Sequence, residues 1–539
     1  MQALIGPLQE LAEFEAIQKE KQKEAGVLQI SGCVNSQKTH MMYALGDGCK
    51  YRVIACSSES KARQVYEEYH MLDPETYFYP AKDFLFYQAD IRSKELQESR
   101  MTVVQAILEE KPLTVVVSFD AFMDALPVKG AMKDRVIRIE NGQTLDFDEI
   151  RKALTENGYD REEQVDGPGQ FAIRGGILDI YPLTGELPVR IELWGDEVDS
   201  IRSFDTDSQR SVQNLDEAVI YPADELPGRP GKRVSFLEYF PPEDTLVFLD
   251  EPTRLVEKGE AVEQEFVEAQ AKRVESGYEV SDDEMKLYET AEIVKRMNTY
   301  YCIGLSALET HGNGFRFRNK FSINTKSVNP YNNSFEMLTR DLKRLKRNDY
   351  RVILLSGSRT RAKRLAEDLR DYNLSSYYSE EQDREVQPGE IMTAYGHVAE
   401  GYEYPMLKFT VISETDIFGK VRKKRKRKKY EGRKIRDFTE LKVGDYVVHE
   451  NHGVGIYQGI EKIESDKIAK DYMKISYAAG GNLYIPATQL DLIQKYASAD
   501  ARKPKLNRLG TQDWTRTRKR VKSAVQLIAK DLVKLYAAR

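Results

Sequence analysis

The sequence reads as a multidomain α/β protein, and three stretches carry that reading. The first 130 residues alternate short β-branched runs with helical stretches, the signature of a mostly parallel sheet covered on both faces. Residues 170–206 read instead as consecutive antiparallel strands with tight turns. From residue 437 a third pattern of short, glycine-punctuated strands suits a small, strongly bent β-barrel. At 539 residues the chain exceeds what one core supports and implies roughly three to five domains. With 41% apolar and 31% charged residues it falls among ordinary globular proteins. No run approaches the ~18 apolar residues of a membrane span, and no signal peptide opens the chain. The four cysteines, Cys33, Cys49, Cys56 and Cys302, lack C-x-x-C spacing and read as thiols of a reducing cytoplasm. The net charge of −6 conceals a polarity, because residues 501–539 carry twelve Lys/Arg against two Asp/Glu.

In order along the chain, "VLQIS", "YRVIACSS", "ETYFYP" and "LTVVVSFDAF" are buried strands, with helices such as "SKARQVYEEYHML" between them. After the first strand comes "ISGCVNSQKTHMMYAL", where Gly32, Lys38 and Thr39 keep the spacing of a phosphate loop, G-x-x-x-x-G-K-[ST]. The second glycine is replaced by Gln37. Such a loop works because small residues let successive backbone N–H groups curl around phosphate. Gln37 and Asn35 crowd that space, so the stretch is expected to be a strand-to-helix turn that binds no nucleotide. Downstream, "TLVFLDEPTRL" is a hydrophobic strand ending in Asp250-Glu251, the form of the Mg²⁺-holding strand of such ATPases.

Within 170–206 the strand "VRIELW" alternates, Val189, Ile191 and Leu193 facing one way and Arg190, Glu192 and Trp194 the other. The apolar set faces the core, leaving an Arg and a Trp, residues typical of binding hot spots, on the outer face. Arg174, before Gly175-Gly176, joins them from the neighbouring strand. On the residues alone, a binding face and a solvated face with one stray aromatic both remain open.

"FAIRGGILDIYP…PVRIELWGDEVDSIRSFDTDSQRS", with "YFYPAKDFLFYQADIRSKELQESRM" (77–101), resembles the N-terminal module of bacterial transcription-repair coupling factors, itself similar to the excision-repair helicase UvrB. The resemblance implies a degenerate, P-loop helicase-like parallel-sheet domain split into 1–130 and 231–330 around an inserted small α+β domain, 131–230, that binds UvrA. By position it makes Arg174, Arg190 and Trp194 the UvrA contacts, although the third is usually Phe. It also implies a defunct nucleotide site, with Asp250 and Glu251 as relics. The tyrosine-rich stretch with which UvrB clamps DNA has no counterpart in 77–101.

A second small α/β domain is expected over 331–419, from "YRVILLSGSRTRAKRLAEDLRDYNL" and "KFTVISETDIFG". The run "KVRKKRKRKK" has nine cations in ten residues, repels itself, and reads as a linker, 420–436, with nucleic acid phosphates as a minor, salt-dependent partner. The 437–497 stretch resembles the RNA-polymerase-interacting domain of the same family, a CarD-like barrel. There the resemblance implies that a strand edge meets the polymerase β subunit, with Ile463 at an apolar contact position. Tyr457, Tyr472 and Tyr484 read equally as flanking contacts and as barrel core. His449 and His452 in "HENH" lack further ligands, so a turn is expected rather than a metal site. Residues 498–539 end in an amphipathic helix whose stripe is Val521, Val525, Ile528, Leu532 and Leu535.

The expected function is therefore the adaptor half of a transcription-repair coupling factor, joining RNA polymerase to UvrA in the cytoplasm, with no catalytic residues, cofactor or metal of its own. The resemblance implies an ATP- and Mg-dependent translocase, the main contact to double-stranded DNA, beyond residue 539. The alternative is a UvrB-like ATP-dependent helicase in which Lys38, Thr39, Asp250 and Glu251 still work.

Overall fold

The computed structural model describes residues 2–82, 94–206, 208–225, 231–275, 287–380, 384–419, 441–449, 452–465, 468–478, 481–486, 493–496, 504, 506 and 507. The expected basic linker, and nearly all of the segment expected to form the C-terminal helix, lie outside them. The chain divides into two compact units, one formed by Met1–Lys82 with Glu98–Arg422 and the other by the remainder.

The first unit is organised by a seven-stranded parallel sheet in the order Phe317–Ser322, Gly26–Ser31, Tyr301–Leu305, Thr245–Asp250, Tyr51–Cys56, Leu113–Ser118, Thr76–Tyr79. Strands from residues 245–305 therefore lie between strands from residues 26–56, so the sheet is assembled from two separated stretches of sequence. Every residue of "LTVVVS" and "TLVFLD" is buried, which is why these strands carry apolar runs rather than an alternating pattern.

Between the two stretches lies a six-stranded sheet, Ser211–Leu215, Glu197–Phe204, Val189–Trp194, Ile177–Tyr181, Gln170–Arg174 and Asp160–Arg161, antiparallel except for the last pair. The helix Phe147–Glu156 precedes it. Two antiparallel ribbons form its stem: Ile137–Glu140 pairs with Glu217–Ile220, and Ala125–Pro127 with Arg233–Ser235. Beside the stem, the buried guanidinium of Arg100 donates to Glu225 (2.7 Å), Asp124 (2.8 Å) and the Pro80 carbonyl (2.7 Å), and lies 4.2 Å from the centre of the Tyr79 ring.

A further six-stranded sheet follows, with Arg351–Ser356 at its centre and parallel to Phe409–Ser413 and Ile391–Tyr395. The helices Phe335–Arg347 and Arg359–Asp371 cover one face through Leu338, Leu342, Leu345, Leu365 and Leu369. The opposite face, with Ile353, Leu355, Tyr402, Tyr404 and Phe409, shares one core with Ile30 of the first sheet and with Met41 and Leu45 of the helix Asn35–Leu45 that follows it. The two α/β layers are thus fused.

In the second unit, five antiparallel strands run in the order Asn482–Pro486, Ile468–Ser476, Gly453–Ser465, Tyr446–His449, Ile493–Lys495. Val447, Tyr457, Met473, Ile475, Tyr477, Ile485 and Ile493 form its core. A closed barrel was expected; among the described residues the two outer strands do not pair, so the sheet is open. Asn507, ahead of the expected helix, is docked on this sheet, exchanging hydrogen bonds with the Val454 backbone and accepting one from Ala478 N–H, while the expected helix itself lies outside the described residues. No helix among the described residues is long and apolar enough to cross a membrane.

Candidate functional site

Only Gly32, Cys33 and Val34 separate the first strand from the helix Asn35–Leu45, so the stretch that would wrap phosphate is already helical. Gly32 has φ +81°, and a Cβ there would stand 1.9 Å from the Ile323 carbonyl oxygen, so only glycine fits. The loop N–H groups are engaged: Gly32 donates to Ala307 O, Cys33 to Ser306 O, and Val34 to the Gln37 side-chain oxygen.

The side chains that nucleotide would require are likewise partnered internally. The Lys38 ammonium is 2.7 Å from an Asp250 oxygen and 2.5 Å from a Glu251 oxygen, all three groups being largely buried. Burial works against its charge, but the two carboxylates outweigh it and raise its pKa above the ordinary lysine value. Thr39 and Ser36 both donate to the buried Glu68 carboxylate, at 2.8 and 2.7 Å. Gln37 does not crowd an open loop. Its amide donates at 2.9 Å to the Tyr404 hydroxyl of the second sheet. Because the Leu4 carbonyl can only accept, His40 donates to it through Nε2 and accepts from Tyr404 through Nδ1. Burial lowers the pKa of that ring to about 4, keeping it neutral. Asn35 reaches Glu400 at 2.5 Å, and the Ala399 N–H closes on Glu68. The residues present do not fit a nucleotide with Mg²⁺: the cation for phosphate and the carboxylate for metal neutralise each other.

On the inserted sheet, Arg174, Arg190 and Trp194 share the outer face, but in different states. Trp194 is 85% exposed beside the Gly195-Asp196 turn. Arg174 is 45% exposed, whereas Arg190 is only 14% exposed, its guanidinium lying over Phe204 and against Asp179. The expectation of a freely presented Arg190 is corrected accordingly. The strict alternation is also corrected: the register shifts between Glu192 and Leu193, leaving Leu193 only half-buried.

In the second unit, Ile463 pairs with Lys470 within the long hairpin Gly453–Ser465/Ile468–Ser476. The neighbouring strand Tyr446–His449 pairs with this hairpin only from Gly453 to Ile456, so from Gly459 onward the strand has one pairing partner among the described residues. Tyr457 belongs to the core, which removes it from a contact surface; Tyr472 is half-buried, and Tyr484 is exposed with Lys474 over its ring. The His449 and His452 rings lie 4.7 Å apart, and among the described residues no cluster of His, Cys, Asp or Glu is arranged for a metal. Asp179 and Arg100 escaped the sequence reading. Asp179 is a charged residue inside the apolar run "ILDIY", the one signal that pointed to it, whereas Arg100 in "QESRM" carried none.

Residues 137–226 match the family model of the UvrB interaction domain, and residues 441–497 that of the CarD-like/TRCF RID domain. These matches define a class of protein that carries both modules on one chain. The chain is 32% identical to the transcription-repair-coupling factor of Bacillus subtilis strain 168, over 87% of this chain and 44% of that protein. It is 28% identical to those of Staphylococcus haemolyticus and Staphylococcus epidermidis, over 86% and 87% of the chain and 44% of each relative. Over most of its length the chain is thus similar to transcription-repair-coupling factors, and it spans less than half the length of the curated relatives it matches.

Proposed function

We propose that this chain is the adaptor portion of a transcription-repair coupling factor. The inserted sheet recruits UvrA, and the 441–497 domain binds the RNA polymerase β subunit by adding a strand at the free edge beyond Gly459. One observation carries the reading: a UvrB interaction domain and a CarD-like/TRCF RID domain occur on a single polypeptide. Arg174 and Trp194 are the UvrA contacts, and Ile463 lies on the strand that offers the polymerase edge, whereas Tyr472 and Tyr484 stand on the strands behind it. The first sheet is a scaffold that binds no ATP, a reading supported by the Lys38–Asp250–Glu251 cluster over the helicase alternative. DNA translocation driven by ATP and Mg²⁺ is a property we assign to the longer family members as wholes.

The test is a bridging experiment. Immobilised RNA polymerase is expected to retain UvrA only when this chain is added, and Trp194→Ala is expected to release UvrA while leaving the chain on the polymerase. Retention of the chain by neither protein overturns the reading.

A further inference from the structure

The outer face of the inserted sheet carries a row of directly opposed residues: Ala172, Asp179, Arg190, Arg202 and Asn214. Arg190 thus has a like charge, Arg202, on one side and Asp179 on the other, an arrangement that the carboxylate makes tolerable. Arg202 is paired separately with Glu192. Asp179 is only 1% exposed and receives both Arg174, proposed to meet UvrA, and Arg190.

The two arginines are held differently. Arg190 donates through Nε and Nη2 to the two Asp179 oxygens at 2.7 and 2.9 Å, and Nη2 also donates to Gln209 at 2.8 Å. Its ring-like face lies 4.3 Å from the centre of Phe204. Three of its five N–H donors and one face are therefore committed within the domain. Arg174 uses a single hydrogen bond, from Nη2 to Asp179 at 2.7 Å. Its remaining donors lie at the end of the sheet that carries both the Gly175-Gly176 and Gly195-Asp196 turns, the end where Trp194 projects.

We infer that Asp179 is a positioning residue for the UvrA face, and that the two arginines have separate tasks. Arg190 is a fixed strut that neutralises Asp179 and sets its carboxylate. Asp179 in turn anchors Arg174 by one nitrogen, pre-ordering the rest of that guanidinium for an acidic group of the partner beside an apolar recess that takes Trp194. Pre-ordering a long side chain lowers the entropy lost on binding. This inference rests on the UvrA reading above.

A double-mutant cycle separates the two. With the full 539-residue chain and purified UvrA, Asp179→Asn is expected to weaken binding by about tenfold in the wild-type background, but by less than about twofold in an Arg174→Ala background. Equal losses in both backgrounds overturn the positioning role, because a carboxylate that merely stabilised the sheet would act regardless of Arg174. If Arg174→Ala and Trp194→Ala each bind UvrA as wild type does, the UvrA reading itself fails. Thermal melts report folding. Should Asp179→Asn not fold, Asp179→Glu, which keeps the charge but displaces the carboxylate by one methylene, is carried through the same cycle with the same expected coupling.

Discussion

Lys38 is the residue at which the proposed scaffold and its enzyme alternative make different predictions. Its ammonium is enclosed with Asp250 and Glu251, so removing it strands two carboxylates in a largely buried setting. Breaking a buried pair from one side costs about 3–5 kcal/mol. Lys38→Ala is therefore expected to lower unfolding free energy by about that amount in a urea titration, with no ATP affinity present to be lost. A working phosphate loop would behave oppositely, losing nucleotide with little effect on the fold. Because the folded pKa of Lys38 is raised, its stabilisation is complete below the ordinary value of 10.5 and disappears only as pH climbs through the higher folded value. The loss expected from Lys38→Ala is thus the same at pH 7 and pH 9. The sequence exposed this site's defect through Gln37 but not its remedy. Tyr404, the partner of Gln37, is 367 positions away, and no local spacing encodes such a pairing. Arg190 shows the same limit: alternation fixes which face it occupies, whereas Asp179 on the adjacent strand decides how much of it a partner can reach.

Strands were the easiest elements to read, because "LTVVVS" and "TLVFLD" each carry an unbroken apolar run of three or four residues and no polar alternation. Their order was not readable from periodicity, since the pairing of Thr245–Asp250 with Tyr51–Cys56 depends on contacts across nearly two hundred residues. Local irregularities were hidden as well, such as the slip that turns Leu193 partly outward. In the 441–497 domain the glycine punctuation did not distinguish Tyr457 in the core from the more exposed Tyr484. The free stretch of strand beyond Gly459 invites a backbone partner. Ile463→Arg is expected to weaken retention by the polymerase β subunit at least about tenfold, by placing a desolvated charge in an apolar contact. Unchanged pull-down with a folded variant would remove that edge from the interface.

The molecule as a whole depends on how an insertion is tied to its host. Asp124 precedes the inserted sheet and Glu225 closes it; Arg100 holds both, and Lys82 adds a second cation to Glu225. Burial alone would raise the Glu225 pKa, but Arg100 and Lys82 prevail and hold that carboxylate far below its usual range. Arg100→Met leaves those acids without their main partner. It is expected to destabilise the first unit by about 3–5 kcal/mol and to speed protease cleavage at the 125–127 and 233–235 ribbon. Wild-type digestion kinetics would dismiss the clamp.

The fusion of the two α/β layers also bears on how hard a nucleotide pocket would be to build here. Gln37→Gly is not expected to create one, because Tyr404 and Glu400 of the other layer still cover the helix start and Lys38 still grips its two acids. Opening a site there would demand several simultaneous substitutions and the parting of a shared core, each step damaging on its own.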